Sequence, residues 1–225
     1  MSNIQDEFIA TVSHELRTPL TSIRGFSQTL LASWDKIDDE NKKKFIKIIE
    51  DQSNRLIHLV ENVLSVSKMN AGGEVLKKVD VNDVIKRIIP MFTEQYKTRK
   101  FVQKLNSSLP QARLDEDKFQ QILTNLIDNA AKYSTDGKTV TISTELSENF
   151  VEIKITDEGV GIKQEDFDKV FKKFSRLENH LTSTTQGNGL GLYITKQLVE
   201  NMGGQISFTS EINKGTTFRV LMPVY

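Results

Sequence analysis

Ile9, Val12, Leu16, Pro19, Ile23, Phe26 and Leu30 follow one another at alternating spacings of three and four. That rhythm is the a/d seam of a heptad helix, and it dictates a long first helix from about Asn3 to Trp34 with one apolar stripe to bury. Lys36 to Asn41 reads as a turn, with Asp38 and Asp39 as capping candidates. A second helix runs to about Asn70, on a seam of Phe45, Ile49, Gln52, Leu56, Leu59, Val63 and Val66. Two heptad helices joined by a short loop make an antiparallel hairpin. Apolar residues spread well beyond the seam: Ile46 and Val60 fall at e, Ile48 at g and Leu64 at b, with Phe8 at g and Leu20 at e in the first helix. One partner helix cannot cover so wide a stripe. The hairpin is therefore expected to pair with a second copy as a homodimeric four-helix bundle.

With Leu16 at a, His14 falls at f, on the face opposite the seam. Glu15 adjoins it, and Thr18 sits one turn further along the same face. A lone exposed histidine is usually plain surface, and His58 and His180 are read that way. The string around His14 is different. Phe-Ile-Ala-Thr-Val-Ser-His-Glu-Leu-Arg-Thr-Pro-Leu, residues 8–20, resembles the phosphoacceptor box of sensor histidine kinases. The resemblance implies that His14 takes the γ-phosphoryl group of ATP on a ring nitrogen. It also implies that Glu15 orients and deprotonates the ring, and that Thr18 helps remove phosphate from a partner protein. Pro19, lacking an N–H, is expected to bend the helix just past the histidine.

Such a box has meaning only beside an ATP site, and 225 residues leave room for a second small domain. The 30 acidic and 30 basic side chains cancel, which argues against nucleic acid as a main ligand. The chain has no cysteine, so disulfides, thiol catalysis and cysteine-bound metal are excluded. No apolar run approaches the roughly 18 to 20 residues that cross a bilayer, and the N-terminus is not a signal peptide. The box begins almost at the first residue. A piece of a longer protein is expected, cytoplasmic in location, as the cytosolic part of a membrane-bound sensor would be.

Asn70-Ala71-Gly72-Gly73 breaks the second helix and marks a boundary. The expected division is a helical hairpin over 1–71 and a second domain over 72–225. In the latter, Val75 to Val79, Phe101 to Leu105 and Ala112 to Leu114 read as strands, and Asp80 and Asp115 cap helices ending near Thr98 and Tyr133. Thr139 to Leu146 and Phe150 to Thr156 alternate around Glu148-Asn149 as a hairpin. A helix over Gly189 to Met202 precedes a closing hairpin of Gln205 to Ser210 and Thr216 to Met222. The pattern is an α+β two-layer sandwich, helices over one face of a sheet.

Four strings in this domain carry chemistry. On the helix before Tyr133, Asn125, Asn129 and Lys132 share a face at i, i+4 and i+7. An asparagine oxygen suits Mg²⁺ and a lysine suits phosphate, although a solvated polar face has the same pattern. Asp157-Glu-Gly159-Val-Gly161-Ile follows a strand directly. Its glycines admit a flat ligand closely and its aspartate can accept from an exocyclic amine, although a tight turn needs no more. Gly187-Asn-Gly189-Leu190-Gly191-Leu192 opens a helix, placing free N–H groups where an anion binds. Ser175 to Gln186, ahead of it, has the polar composition of a mobile lid. Lys214-Gly-Thr-Thr-Phe218 starts the last strand.

In this order the strings resemble the ATP-binding domain of histidine kinases, the Bergerat fold shared with gyrase, the MutL repair ATPases and the Hsp90-type chaperones. The resemblance implies that Asn129 ligates Mg²⁺, that Asp157 binds the adenine amino group and that Lys132 and Tyr133 line the phosphate and sugar side. It further implies a phosphate-facing hinge at Gly187, Gly189 and Gly191, a lid positioned by Phe171 and Phe174, and Thr216 near the adenine. Asn213 stands where the last motif usually has its first glycine, which loosens the assignment of that loop. The implied function is histidine autophosphorylation from Mg-ATP and transfer to an aspartate of a response-regulator receiver domain. A gyrase- or chaperone-type ATPase is the rival, but it needs a carboxylate to activate water and lacks a His-bearing hairpin. A degenerate scaffold is the other, and the intact His14, Asn129, Asp157 and glycine hinge argue against it.

Overall fold

The structure, a computed structural model, describes residues 2–69, 75–135, 137–175, 177 and 189–225, with side chains of the first two helices described over 9–65. The chain divides into two compact units, Met1–Asn70 and Ala71–Tyr225.

In the first unit, helix α1 spans Ser2–Ser33 and runs unbroken through Pro19. A 3₁₀ turn at Trp34–Lys36 leads to α2, Asp39–Met69. The turn is fixed by Asp38, whose carboxylate accepts from the Asn41 backbone N–H at 2.9 Å and from its side-chain amide at 2.7 Å. These bonds to the ionised form hold its carboxyl below the usual value. Along the seam Pro19, Leu30 and Leu59 are buried, and Phe26 meets Phe45 with ring centroids 5.1 Å apart. Leu20, Ile46, Val60 and Leu64, all off the seam, are exposed. So are His14 and His58. Phe8 and Val66 have side chains outside the described residues.

The second unit contains β1 (Lys77–Val79), α3 (Val81–Gln95), β2 (Lys100–Leu105), β3 (Ala112–Leu114) and α4 (Glu116–Tyr133). It continues through β4 (Thr139–Ser147), β5 (Phe150–Asp157), α5 (Gly191–Asn201), β6 (Gln205–Glu211) and β7 (Gly215–Pro223). Asp80 and Asp115 cap α3 and α4 by accepting backbone N–H groups of the first turn. The five-stranded sheet has the order β2-β4-β5-β7-β6; β2 runs parallel to β4 and the other pairs are antiparallel. β1 and β3 form a separate antiparallel pair.

Register sets the core. Ile142 faces Ile155, which faces Phe218, which faces Phe208; two residues along, Thr144, Ile153, Val220 and Ile206 form the next row. Successive side chains alternate faces, so both rows point the same way, toward the helices. They close over Phe119, Ile122, Leu123, Leu126 and Ile127 of α4, all fully buried. The same parity carries Asp157 onto this covered face, two residues past Ile155. A buried polar knot locks the edge: Asn82 donates to the Asn106 carbonyl at 2.7 Å, Thr144 Oγ1 donates to Asn82 Oδ1 at 2.9 Å, and Asn106 N–H donates to Thr144 Oγ1 at 3.1 Å. Among the described residues no helix is long and apolar enough to cross a membrane.

Candidate functional site

Asp157 is only 5% exposed, yet no cation pairs with it among the described residues. Its Oδ1 accepts the backbone N–H of Gly159 at 2.8 Å and of Thr216 at 3.2 Å. Its Oδ2 has no hydrogen-bond partner among the described residues. Burial pushes the carboxyl up to about 6, with the two backbone donors pulling the other way. A carboxylate oxygen is thus held at the end of β5, desolvated and with acceptor capacity to spare.

The loops around it are built by close backbone approach. A Cβ on Gly159 would lie 2.2 Å from the Tyr133 carbonyl oxygen, at the end of α4. Val160 N–H donates to that same carbonyl at 3.2 Å. Gly161 has φ +68, and a Cβ there would lie 2.1 Å from the Glu211 carbonyl oxygen; the left-handed conformation and the contact both demand glycine. Thr216 is buried, and its hydroxyl shares a 2.8 Å hydrogen bond with Ser210. Ser210 also accepts from Ile162 N–H at 2.8 Å and donates to the Gly215 carbonyl at 3.0 Å. It ties three segments of the site together, and nothing in its sequence neighbourhood singles it out. Asn213, standing where a glycine was expected, adopts φ +60 and donates its N–H to the Val160 carbonyl at 2.9 Å. Asparagine tolerates that conformation better than other non-glycine residues, so the loop keeps its path.

Helix α4 presents Asn125, Asn129 and Lys132, and the structure treats them differently. Asn125 donates to Thr195 Oγ1 on α5 at 2.6 Å. Its side chain fills the space that a Cβ on Gly191 would need, 2.4 Å away. It therefore joins two helices. Lys132 Nζ lies 2.5 Å from Asp128 Oδ2. Asn129 is half-buried, and its amide has no hydrogen-bond partner among the described residues.

Gly189 and Leu190 lead into α5, which opens with Gly191 and Leu192, and Leu190 is fully buried. Gly189 has φ +67, and a Cβ there would lie 2.6 Å from the Phe174 carbonyl carbon and 2.8 Å from Ser175 N. Phe174 itself has φ +57. Residues 174–175 and 189, fourteen positions apart, thus lie backbone to backbone. Phe171 belongs to an aromatic cluster, 5.8 Å from Phe208 and 6.4 Å from Phe218, with Phe167 4.9 Å from Phe208. Gly187, His180 and most of the expected lid lie outside the described residues.

On the hairpin, exposed Thr18 turns its hydroxyl back toward the His14 carbonyl at 3.4 Å. Glu15 is half-buried and accepts from Arg55 Nη2 of α2 at 3.2 Å. That contact, forty residues apart, is invisible to local sequence patterns. It pins the carboxylate next to His14 in sequence to the second helix.

Comparison with known proteins matches residues 4–72 to the His Kinase A (phospho-acceptor) domain and residues 114–225 to the histidine kinase-, DNA gyrase B-, and HSP90-like ATPase family. The signal transduction histidine-protein kinase ArlS of Staphylococcus haemolyticus is 34% identical over 221 residues, covering 97% of this chain and 49% of ArlS. The chain thus spans about half the length of the curated relatives it matches. Among solved structures, Acinetobacter baumannii histidine kinase AdeS is similar with a TM-score of 0.76 at 26% identity, over 94% of this chain and 98% of that one. Full-length ShkA in complex with AMPPNP is similar with a TM-score of 0.70 at 26% identity, over 97% of this chain and 46% of that one. With both halves matched in order and the motifs of each in place, the chain belongs to the sensor histidine kinases, as a phospho-acceptor hairpin followed by the Bergerat ATPase fold.

Proposed function

We propose that this chain is an ATP-dependent two-component histidine kinase core that phosphorylates its own His14 and passes the phosphoryl group to an aspartate of a response-regulator receiver domain. In this reading residues 1–71 serve dimerisation and phosphotransfer, and residues 72–225 bind ATP. The observation that carries it is the Asp157 carboxylate, buried, held through one oxygen and open at the other. Such an oxygen is suited to the exocyclic amine of adenine, and a low local dielectric strengthens the bond. The AMPPNP complex of ShkA supports the same class of ligand here.

Around that anchor, Thr216 lies beside the adenine and Tyr133 on the sugar side, while Lys132 faces the phosphates. Gly159 and Gly161 give the ligand room. Gly187, Gly189 and Gly191 with Leu190 and Leu192 form the hinge on the phosphate side, Phe171 and Phe174 position the lid, and Asn125 holds α4 to α5 beneath it. Asn129, with its uncommitted amide oxygen, fits Mg²⁺. Among the described residues no cluster of three or more His, Cys, Asp or Glu could cage a metal, which suits an ion held by one or two protein ligands plus phosphates. When bound, the ion neutralises charge on the phosphates.

The chemistry balances on the chain's own groups. A ring nitrogen of neutral His14 attacks the γ-phosphorus. The N–P bond forms as the bond to the bridging oxygen breaks, and ADP leaves with that electron pair. Glu15 accepts from the other ring N–H and stabilises the positive charge developing there. Transfer to the regulator's aspartate restores the neutral imidazole, and Thr18 acts in removing phosphate from the regulator. The test is incubation with γ-labelled ATP and Mg²⁺. Wild type should take up label that is lost in acid and kept in base, as phosphoramidates behave, and His14→Ala should take up none. Full labelling of His14→Ala would overturn the assignment.

A further inference from the structure

Lys132 is on a long flexible stem, and a lysine that must meet a phosphate does so at an entropic cost unless something fixes it. Asn125, Asp128, Asn129 and Lys132 lie at i, i+3, i+4 and i+7 on α4 and share one half-buried face. Asp128 Oδ2 lies 2.5 Å from Lys132 Nζ. Alone, such a one-turn pair would hold the lysine only weakly. Here the carboxylate is itself anchored from another element. Tyr96, the residue that ends α3, donates its hydroxyl to Asp128 Oδ1 at 2.6 Å.

Tyr96 is rigidly placed. Its N–H donates to the Phe92 carbonyl at 2.8 Å and its carbonyl accepts from Arg99 N–H at 2.9 Å. Arg99 Nε in turn donates to the Ala131 carbonyl at 3.2 Å, tying the same turn to the end of α4. Burial, then the Asp128 carboxylate, push the phenol well above its ordinary value, so it stays a donor at any working pH.

We infer that Tyr96 and Asp128 are positioning residues for Lys132: the α3 tyrosine fixes the carboxylate, and the carboxylate fixes where the ammonium stands. This rests on the reading of Lys132 as phosphate-facing. An ammonium has three N–H donors; one goes to Asp128 and two stay available for phosphate oxygens. Asp128 also balances the lysine's charge when no nucleotide is present.

The experiment is calorimetric titration of the full 225-residue chain with Mg-ATP and with adenosine, for wild type, Tyr96→Phe, Lys132→Ala and the double variant. Tyr96→Phe keeps the ring, and a thermal melt checks that it folds. It should weaken ATP roughly threefold to tenfold, a range expected for contacting residues, and leave adenosine unchanged. In autophosphorylation it should raise KM for ATP more than it lowers kcat. In the Lys132→Ala background it should add nothing. Equal losses for ATP and adenosine, or the same loss with and without Lys132, would mean a merely structural tyrosine and overturn the inference. A silent Tyr96→Phe beside a damaging Lys132→Ala overturns the positioning alone. A Lys132→Ala that binds ATP normally overturns the phosphate-facing lysine, and the inference with it.

Discussion

The two units solve the burial problem in opposite ways. In Ala71–Tyr225, the large apolar residues of α4 and of the central strands are almost completely buried, and the sheet rows interlock with them. Among the described side chains of Met1–Asn70, only Leu30 and Leu59 of the non-proline apolar residues are buried, while Leu20, Ile46, Ile57, Val60 and Leu64 stand 45% to 55% exposed and Leu31 85%. The sandwich satisfies itself within one chain; the hairpin does not. Soluble proteins rarely leave such a contiguous stripe in water, and about 25 cal/mol is gained for each Å² of apolar surface covered. We propose that a second copy covers it, as a two-fold four-helix bundle with the f-position His14 left outside.

The sharpest way to break this contrast is Leu59→Glu. Leu59 is 2% exposed, and an unpaired charge there costs on the order of several kcal/mol. Light scattering should show a dimer for wild type at micromolar concentration, and monomers or an unfolded hairpin for the variant. ATP binding by the second unit should survive. A monomeric wild type would leave the stripe unexplained.

A middle-sized effect belongs to the sandwich alone. The Asp157 carboxyl is raised to about 6 from an ordinary 3.8, chiefly by burial. Lowering the pH through about 6 protonates it and removes the acceptor, so ATP affinity should fall several-fold between pH 7 and 5. Its effect on folding has the opposite sign. Between the unfolded value and about 6 the native state binds the extra proton, so this group stabilises the unliganded unit as pH falls, by up to about 3 kcal/mol. Asp157→Asn should flatten both trends relative to wild type. An affinity for ATP with the same pH profile in both proteins would argue against Asp157 as the adenine acceptor.

The smallest change is confined to the hairpin surface. Thr18→Ala removes only an exposed hydroxyl whose 3.4 Å contact with the His14 carbonyl is long. Stability and autophosphorylation should stay near wild type, while dephosphorylation of a phosphorylated regulator slows. Intact rates of both reactions would reduce Thr18 to a structural role.

How much of this was legible in the sequence divides along one physical line. Period and punctuation revealed the elements: the heptad seams, the caps at Asp80 and Asp115, the alternation over Thr139 to Leu146 and Phe150 to Thr156. Boundaries slipped where propensity is silent, so β1 starts at Lys77 rather than Val75 and α5 at Gly191 rather than Gly189. Contacts between distant elements left no local trace. Glu15 with Arg55, Asn125 with Thr195, Tyr96 with Asp128 and the Ser210 hub each join residues on separate elements, brought together only by the fold. Asn125 and Asn129 look equivalent as letters on one helix face. The α5 helix tells them apart: Gly191, whose missing Cβ leaves room, and Thr195, which accepts from Asn125, take one of them.

The strand order has a consequence for how the protein is made. β7, the last of the five sheet strands in chain order, lies between β5 and β6 rather than at an edge. During synthesis the hairpin of β4 and β5 can assemble early from neighbouring sequence, but the seam of β5 facing β7 keeps its N–H and C=O groups bare until Gly215–Pro223 emerges. An uncovered strand edge invites pairing with other chains. The sandwich is therefore most exposed to misassembly at the moment when it is nearly finished, and one late strand both completes the sheet and closes that opening.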